Sequence, residues 1–254
     1  MLDIIRYLVY FLGPFLLAFL IGKRLLKATY GAFGIGLLAF FAAWVCIMVI
    51  TQVSRGMTNS LKEGTLLYSI ITAASAGLFE ESGRFFAFGI FRRLRDKRNW
   101  NAGIMYAIGH SGMESIIVGA TLILTIIITK YSPQLLSPEV LGQSKALLEI
   151  GVLEGVYNSF ERLFVGLLIH SCFTSLVLLS FTTAETRYLF LAMLWHFGHD
   201  MVALNLHLLS SHWIVGKIWI VFIVVAYSWI LFRLRKTMAK SSTWSLRLGP
   251  MAGT

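Results

Sequence analysis

The chain has 254 residues and a mean hydropathy of +0.76, with 57% hydrophobic residues and only 13% charged residues. This composition excludes an ordinary soluble domain and is typical of a polytopic membrane protein. The formal net charge is +10, but the basic residues cluster beside apolar stretches. Such clusters indicate membrane topology, so we expect no nucleic-acid partner.

Seven apolar runs of about twenty residues predict transmembrane helices. They cover approximately residues 4–22, 29–52, 64–91, 101–129, 160–182, 188–209 and 214–233. The long connection after the fourth run holds a helix-prone stretch at about 139–158, which is too polar to span and is expected at the outer interface or as a cap on the bundle. We therefore predict one integral membrane domain over residues 1–254, an all-α helix bundle.

The basic clusters orient this bundle. They lie after the predicted first, third and seventh spans, at Lys23 to Lys27, Arg92 to Arg98 and Arg233 to Lys236. The positive-inside rule then places the N-terminus outside and the C-terminus in the cytoplasm. No organellar transit signal is recognised, which is compatible with a bacterial plasma membrane, and membrane lipids are the expected surroundings.

Four of the predicted spans carry ionisable residues in their interiors, where each such group costs several kcal/mol, roughly, and marks a functional site by default. We call these residues the polar layer: Glu80, Glu81 and Arg84 on the third span, His110 and Glu114 on the fourth, His170 on the fifth, and His196 and Asp200 on the sixth. With the predicted topology, they lie at a common depth of roughly 14–20 Å from the cytoplasmic boundary, at 1.5 Å per helical residue. One site at the core of spans three to six explains this alignment.

The spacing of these residues suits hydrolysis. His110 and Glu114 are four residues apart, as are His196 and Asp200, so each pair shares a helical face within reach of one metal ion or water. Imidazole and carboxylate together suit Zn²⁺, and a metal- or glutamate-activated water in a dry cavity hydrolyses peptide bonds. Adjacent glutamates point about a hundred degrees apart, so one can pair with the arginine while the other faces a cavity.

The motifs Glu80-Glu81-x-x-Arg84, Tyr106-x-x-x-His110 and His196-x-x-x-Asp200, in this order on successive helices, resemble the CPBP superfamily of type II CAAX-prenyl endopeptidases and bacteriocin-processing enzymes. The residues within these motifs are most similar to those of the YhfC family of intramembrane metalloproteases. The PrsW proteases and the APH subunit of gamma-secretase belong to the same superfamily. The resemblance covers roughly residues 64–209, which is the expected catalytic core.

The resemblance implies an enzyme in which Glu80 or Glu81 activates water together with His110, while Arg84 holds the other acid. It implies that His196 and Asp200 orient the water or the oxyanion. The expected metal ligands are drawn from His110, Glu114, His170, His196 and Asp200, with zinc as the expected ion. The substrate would be a membrane-embedded or lipid-modified peptide, reached by water and peptide from the cytoplasmic face.

Two other functions fit the same residues. Carboxylate and histidine chains at mid-membrane also act as relays in ion- or proton-coupled transporters, although no inverted repeat is evident here. A non-catalytic scaffold, similar to the APH subunit, would use the polar layer to hold a membrane-protein partner. The paired acids and the arginine favour the intramembrane endopeptidase over both.

Overall fold

A computed structural model describes residues 2–57, 65–209 and 213–247, and within these ranges the chain is helical and contains no strand. The helices are α1 Leu2–Leu17, which continues as a π-helical segment over Ala18–Leu25, α2 Tyr30–Met57, α3 Leu66–Ile90, α4 Arg92–Arg95, α5 Trp100–Tyr131, α6 Pro138–Glu149, α7 Val152–Thr182, α8 Arg187–Leu209 and α9 Trp213–Arg247. A single 3₁₀ turn, Pro133–Leu135, joins α5 to α6.

Within the described residues, five segments are long and apolar enough to cross a membrane, and they belong to α1 with its π-helical continuation, α2, α5, α7 and α9. Helices α3 and α8 have 25 and 23 residues. At 1.5 Å per residue they are about 37 and 34 Å long, enough to span a hydrocarbon core of about 30 Å. They carry much of the polar layer. The all-α polytopic membrane bundle is therefore confirmed.

The connection between the predicted fourth and fifth spans differs from the expectation. The polar stretch expected at about 139–158 is divided, because α6 ends at Glu149 and α7 already begins at Val152. Ile150 and Gly151 have extended ψ values of 125° and 145°, which interrupts the helix, and glycine is well tolerated at such an N-cap. Helix α7 therefore starts about two turns before the predicted residue 160, and this adds polar residues to its membrane portion.

Helices α5 and α7 form the centre of the bundle. Helix α7 packs against α1, α3, α5, α8 and α9, and α5 also packs against α1 and α2. Helix α3 fits between α2 and α8. Of the four helices that carry the polar layer, α7 packs against the other three and α3 packs against α8. They therefore surround one interior space.

Two glycines allow the close crossings that bring these helices together. A Cβ on Gly109 of α5 would overlap the backbone carbonyl oxygen of Phe33 on α2. A Cβ on Gly77 of α3 would lie 2.7 Å from the carbonyl oxygen of Met193 on α8. In both cases the obstacle is backbone, which cannot rotate away as a side chain can. Small residues at helix crossings are the usual means of close packing in membranes.

Replacing Gly109 with alanine should lower the thermal unfolding temperature of the detergent-solubilised protein. The new methyl group must push α2 away from α5, and overpacking of this kind costs about 1–3 kcal/mol. Gly198→Ala on α8 is the matched control, because no atom lies within 4 Å of its Cβ position and alanine raises helix propensity. Equal unfolding temperatures for the two variants would contradict the close crossing.

Candidate functional site

All the residues of the polar layer meet in the interior of the bundle. Six of them have little or no exposed surface: Glu80, Glu81, Arg84, His110, His170 and His196 are each 6% exposed or less. The side chains of Glu114 and Asp200 are more open, at 31% and 25%. The sequence predicts that these residues lie at a common depth, and in the structure the polar-layer side chains of α3, α5, α7 and α8 contact one another.

The two adjacent glutamates have different surroundings. Glu81 is fully buried, and its Oε1 accepts hydrogen bonds from Arg84 and is 2.7 Å from His196 Nδ1. Glu80 lines a cavity, and its Oε2 is 2.8 Å from His110 Nε2. This is the division of faces that the hundred-degree helical step predicts. Glu80 is therefore the acid that water can reach.

His170 is held between an arginine and a carboxylate. Arg84 donates a hydrogen bond of 2.6 Å to His170 Nδ1, because a guanidinium carries no acceptor. Nδ1 must then carry the lone pair, and the proton lies on Nε2, which donates to Glu114 Oε2 at 2.9 Å. Arg162 donates to the other oxygen of Glu114 at 2.8 Å. These contacts select one tautomer of His170 and fix the direction of its ring.

His196 is positioned in a similar way. Its Nδ1 faces the buried Glu81, and its ring stacks on Phe173 with centroids 4.6 Å apart. Its Nε2 points towards the cavity, 3.6 Å from Asp200 Oδ2 and 3.9 Å from Glu80 Oε2. With a proton on Nδ1, the Nε2 lone pair of His196 is presented to the cavity.

Glu80, His110 and His170 could hold a metal ion, since each offers a ligand atom and these atoms all lie within 4.8 Å of one another. Two imidazoles and one carboxylate are a donor set that zinc enzymes use, with a fourth position left for water. The residues therefore fit a divalent metal. Nδ1 of His110 has no hydrogen-bond partner among the described residues, although it is buried.

The other expected ligands stand around this group. Glu114 reaches it through His170, and Asp200 lies beyond His196. The structure thus brings together every residue of the predicted site, with Glu80 beside the expected histidines as a possible metal ligand. Arg162, which contacts Glu114, was not expected from the sequence. Its position eight residues before His170, about two helical turns on the same face, is the signal that could have identified it.

A cavity of about 530 Å³ adjoins the site. We call the end of the bundle where α3 ends and α5 begins the basic end, because the basic clusters lie there, and we call the opposite end the far end. The cavity is lined by the site residues Glu80, Glu114, His170, His196 and Asp200, and by residues further along the helices towards the far end, among them Thr72, Arg162, Val165, Ala203 and Trp219.

The basic side of the site is filled. Phe88, Met105, Tyr106 and Leu178 have no exposed surface and pack between the polar layer and the basic end. The cavity therefore does not extend in the direction from which access was expected. Large side chains occupy the space between the site and the basic end, which the positive-inside rule made the expected cytoplasmic entrance.

Comparison with known proteins identifies a family for this chain. Residues 8–225 match the model of a family described as "YhfC intramembrane metalloprotease". The chain is 31% identical over 101 residues to a protein of Bacillus subtilis (strain 168) described as "Uncharacterized membrane protein YhfC", and the match covers 38% of each chain. The chain thus spans well under half the length of that relative. No solved structure matches. Since the family match covers most of its length, the chain belongs to the YhfC family.

Proposed function

We propose that this protein is an intramembrane endopeptidase that hydrolyses a peptide bond of a membrane-embedded polypeptide. One observation carries the proposal: Glu80, His110 and His170 place three ligand atoms within 4.8 Å of one another beside a cavity of about 530 Å³. Hydrolysis in a membrane needs an activated water and space for a peptide, and this arrangement offers both.

Glu80, His110 and His170 would hold the metal, with Zn²⁺ the ion that best suits this donor set. When bound, such an ion supplies Lewis-acid activation of water and of the scissile carbonyl. Arg84 donates to the same nitrogen of His170 that would bind the ion. One lone pair cannot serve both, so Arg84 must release His170 when the site is loaded.

His196 is suited to accept the proton of the attacking water. Its Nε2 faces the cavity beside Glu80, and its Nδ1 donates to the buried Glu81. A carboxylate behind an imidazole fixes the tautomer and stabilises the protonated ring, as in other histidine bases. Asp200 Oδ2 lies 3.6 Å from the same nitrogen. Glu81 thus acts through His196, whereas Glu80 faces the reacting groups.

His110→Gln and Glu80→Gln should each lose stoichiometric metal, whereas His196→Gln should keep it and lose about 10²–10⁴-fold in peptide cleavage, the usual contribution of a general base. Metal content is measured by elemental analysis of purified protein, and cleavage with a library of membrane-embedded reporter peptides. His199→Gln is the control, because this cavity-lining histidine bonds Tyr227 and none of the polar layer. A wild-type protein without metal would refute the metal-dependent form.

Glu114→Gln should weaken metal binding about 10- to 100-fold, the usual effect of removing a carboxylate that orients a histidine ligand. The amide can still meet His170 but can present its NH₂ group there, so the tautomer is no longer enforced. Arg162→Gln should give a smaller loss, because Glu114 keeps its contact with His170. The dissociation constants are measured by competition with a chelator. Unchanged affinity in Glu114→Gln would contradict the orienting role.

Arg84→Met should destabilise the protein by about 3–5 kcal/mol, because it leaves the fully buried Glu81 without its cation. The double variant Glu81→Gln/Arg84→Met should recover part of this loss, since the uncompensated charge is removed. Arg95→Met, at an exposed position, should have little effect. Thermal unfolding in detergent measures these variants and the single variant Glu81→Gln, and additive losses in the double variant would contradict the coupling.

A further inference from the structure

Among the described residues, the cavity beside the site extends from the polar layer towards the far end. The residues that line the 530 Å³ cavity lie in the polar layer or further towards the far end of their helices, except Phe40 of α2, whose ring contacts His110 and His170 at the level of the layer. On α7 the lining begins at Glu161 and stops at His170, and on α8 it begins at His196 and continues to Leu204. Within the described residues, no part of this lining lies on the basic side of the layer.

The opposite side is closed by large buried side chains. Phe88 of α3, Met105 and Tyr106 of α5, and Leu178 of α7 each have 0% exposure. The rings of Phe88 and Tyr106 lie 5.1 Å apart and fill the space directly beyond Arg84 and His110. A separate cavity of about 260 Å³ lies on that side, between Trp100 and Ser171, but no polar-layer residue lines it. A peptide could therefore reach the layer from there only by displacing buried side chains.

The cavity contains both polar and apolar surface. Arg162 and Lys217 are about half exposed along it or at its mouth, where Lys217 pairs with Glu161 at 3.1 Å. Val165 and Ile220 contribute apolar wall between these groups. A volume of about 530 Å³ lies in the usual range of sites that bind organic ligands, about 300–1,000 Å³, and far exceeds the space that a single ion needs. A polypeptide segment with alternating polar and apolar groups suits such a wall.

The charge distribution assigns a side of the membrane to each end. The closed end carries Arg92 to Arg98 between α3 and α5, Lys23 to Lys27 before α2, and Arg233 to Lys236 in α9. Basic residues beside membrane spans mark the cytoplasmic face. The open cavity then faces the other way.

From this geometry we infer that polypeptide substrates enter the site from the extracytoplasmic side and are cut near the middle of the membrane. The substrate class is a membrane protein with a segment that unfolds or ends near the extracytoplasmic surface. A lipid-modified carboxyl terminus on the cytoplasmic face does not fit, because the closed end separates it from Glu80. The identity of the substrate as a polypeptide rests on the proposed function, whereas the sidedness of the cavity does not.

Cysteine accessibility tests the sidedness in the whole chain. The native Cys46 and Cys172 are first replaced with alanine. Val165→Cys and Ala203→Cys then place a thiol on the cavity wall, Lys97→Cys places one at the basic end, and Ala192→Cys places one on α8 with no exposed surface. A membrane-impermeant maleimide is applied to bacterial protoplasts before and after lysis.

The expected result is that both cavity cysteines react in intact protoplasts, that Lys97→Cys reacts only after lysis, and that Ala192→Cys does not react. Cavity cysteines that react only after lysis, or never, overturn the inference, as does reaction of Lys97→Cys in intact protoplasts. Labelling of Ala192→Cys equal to that of the cavity cysteines would mean that α8 is accessible along its whole length. This result would also overturn the inference that the cavity is open towards the far end and closed towards the basic end.

This assay needs no catalysis, so its outcome is separate from that of the cleavage experiments. An inactive protein whose cavity is labelled from outside would retain the inferred sidedness and lose the proposed function. An active protein whose cavity is labelled only from the cytoplasm would retain the function and lose the sidedness.

Discussion

The buried guanidinium of Arg84 is the interaction on which the rest of the structure depends. It has no exposed surface, and it contacts both glutamates of its own helix and His170 of α7. Its charge also lies 5.8 Å from the centre of the Phe173 ring. A cation in the interior of a membrane protein is tolerated only when paired and hydrogen-bonded. The carboxylates must therefore stay in place for the bundle to fold.

The hydrogen-bond network around Arg84 reaches two further helices. Glu81 links Arg84 to His196 on α8, and Glu80 links it to His110 on α5. The two acids then differ in role because their helix separates them by about a hundred degrees. Glu81 is fully buried against the arginine, whereas Glu80 contacts the arginine and also lines the cavity. The same network thus supports the fold and presents the groups that would perform hydrolysis, which a scaffold alone would not require.

The packing around the layer decides how the site can be reached. Aromatic and aliphatic side chains close the basic end, whereas the opposite side is left open along α7, α8 and α9. Arg162 is part of that open wall and also holds Glu114, which orients His170. The access route and the geometry of the candidate metal site therefore share residues. A polypeptide that enters beside Arg162 would arrive next to the groups that Arg162 helps to position.

The sequence by itself determined the fold class, and it singled out the residues that meet in the polar layer. Apolar runs of membrane length leave few alternatives to a helix bundle, and the cost of ionisable groups in hydrocarbon makes their positions visible in a single sequence. Their common depth followed from the positive-inside rule and the helical rise. The early start of α7 was not visible, because a polar helical stretch looks the same whether it ends a span or lies at the interface.

Only the tertiary structure decided which glutamate faces the cavity, which histidines lie beside Glu80 and which beside Glu81, and which end of the bundle the cavity opens towards. These features depend on the rotation of each helix about its axis and on contacts between residues far apart in the chain, such as Arg162 with Glu114. Hydropathy and spacing specify how deep a residue lies along a helix. They do not specify which neighbour it meets, since that is set by side-chain packing across several helices at once.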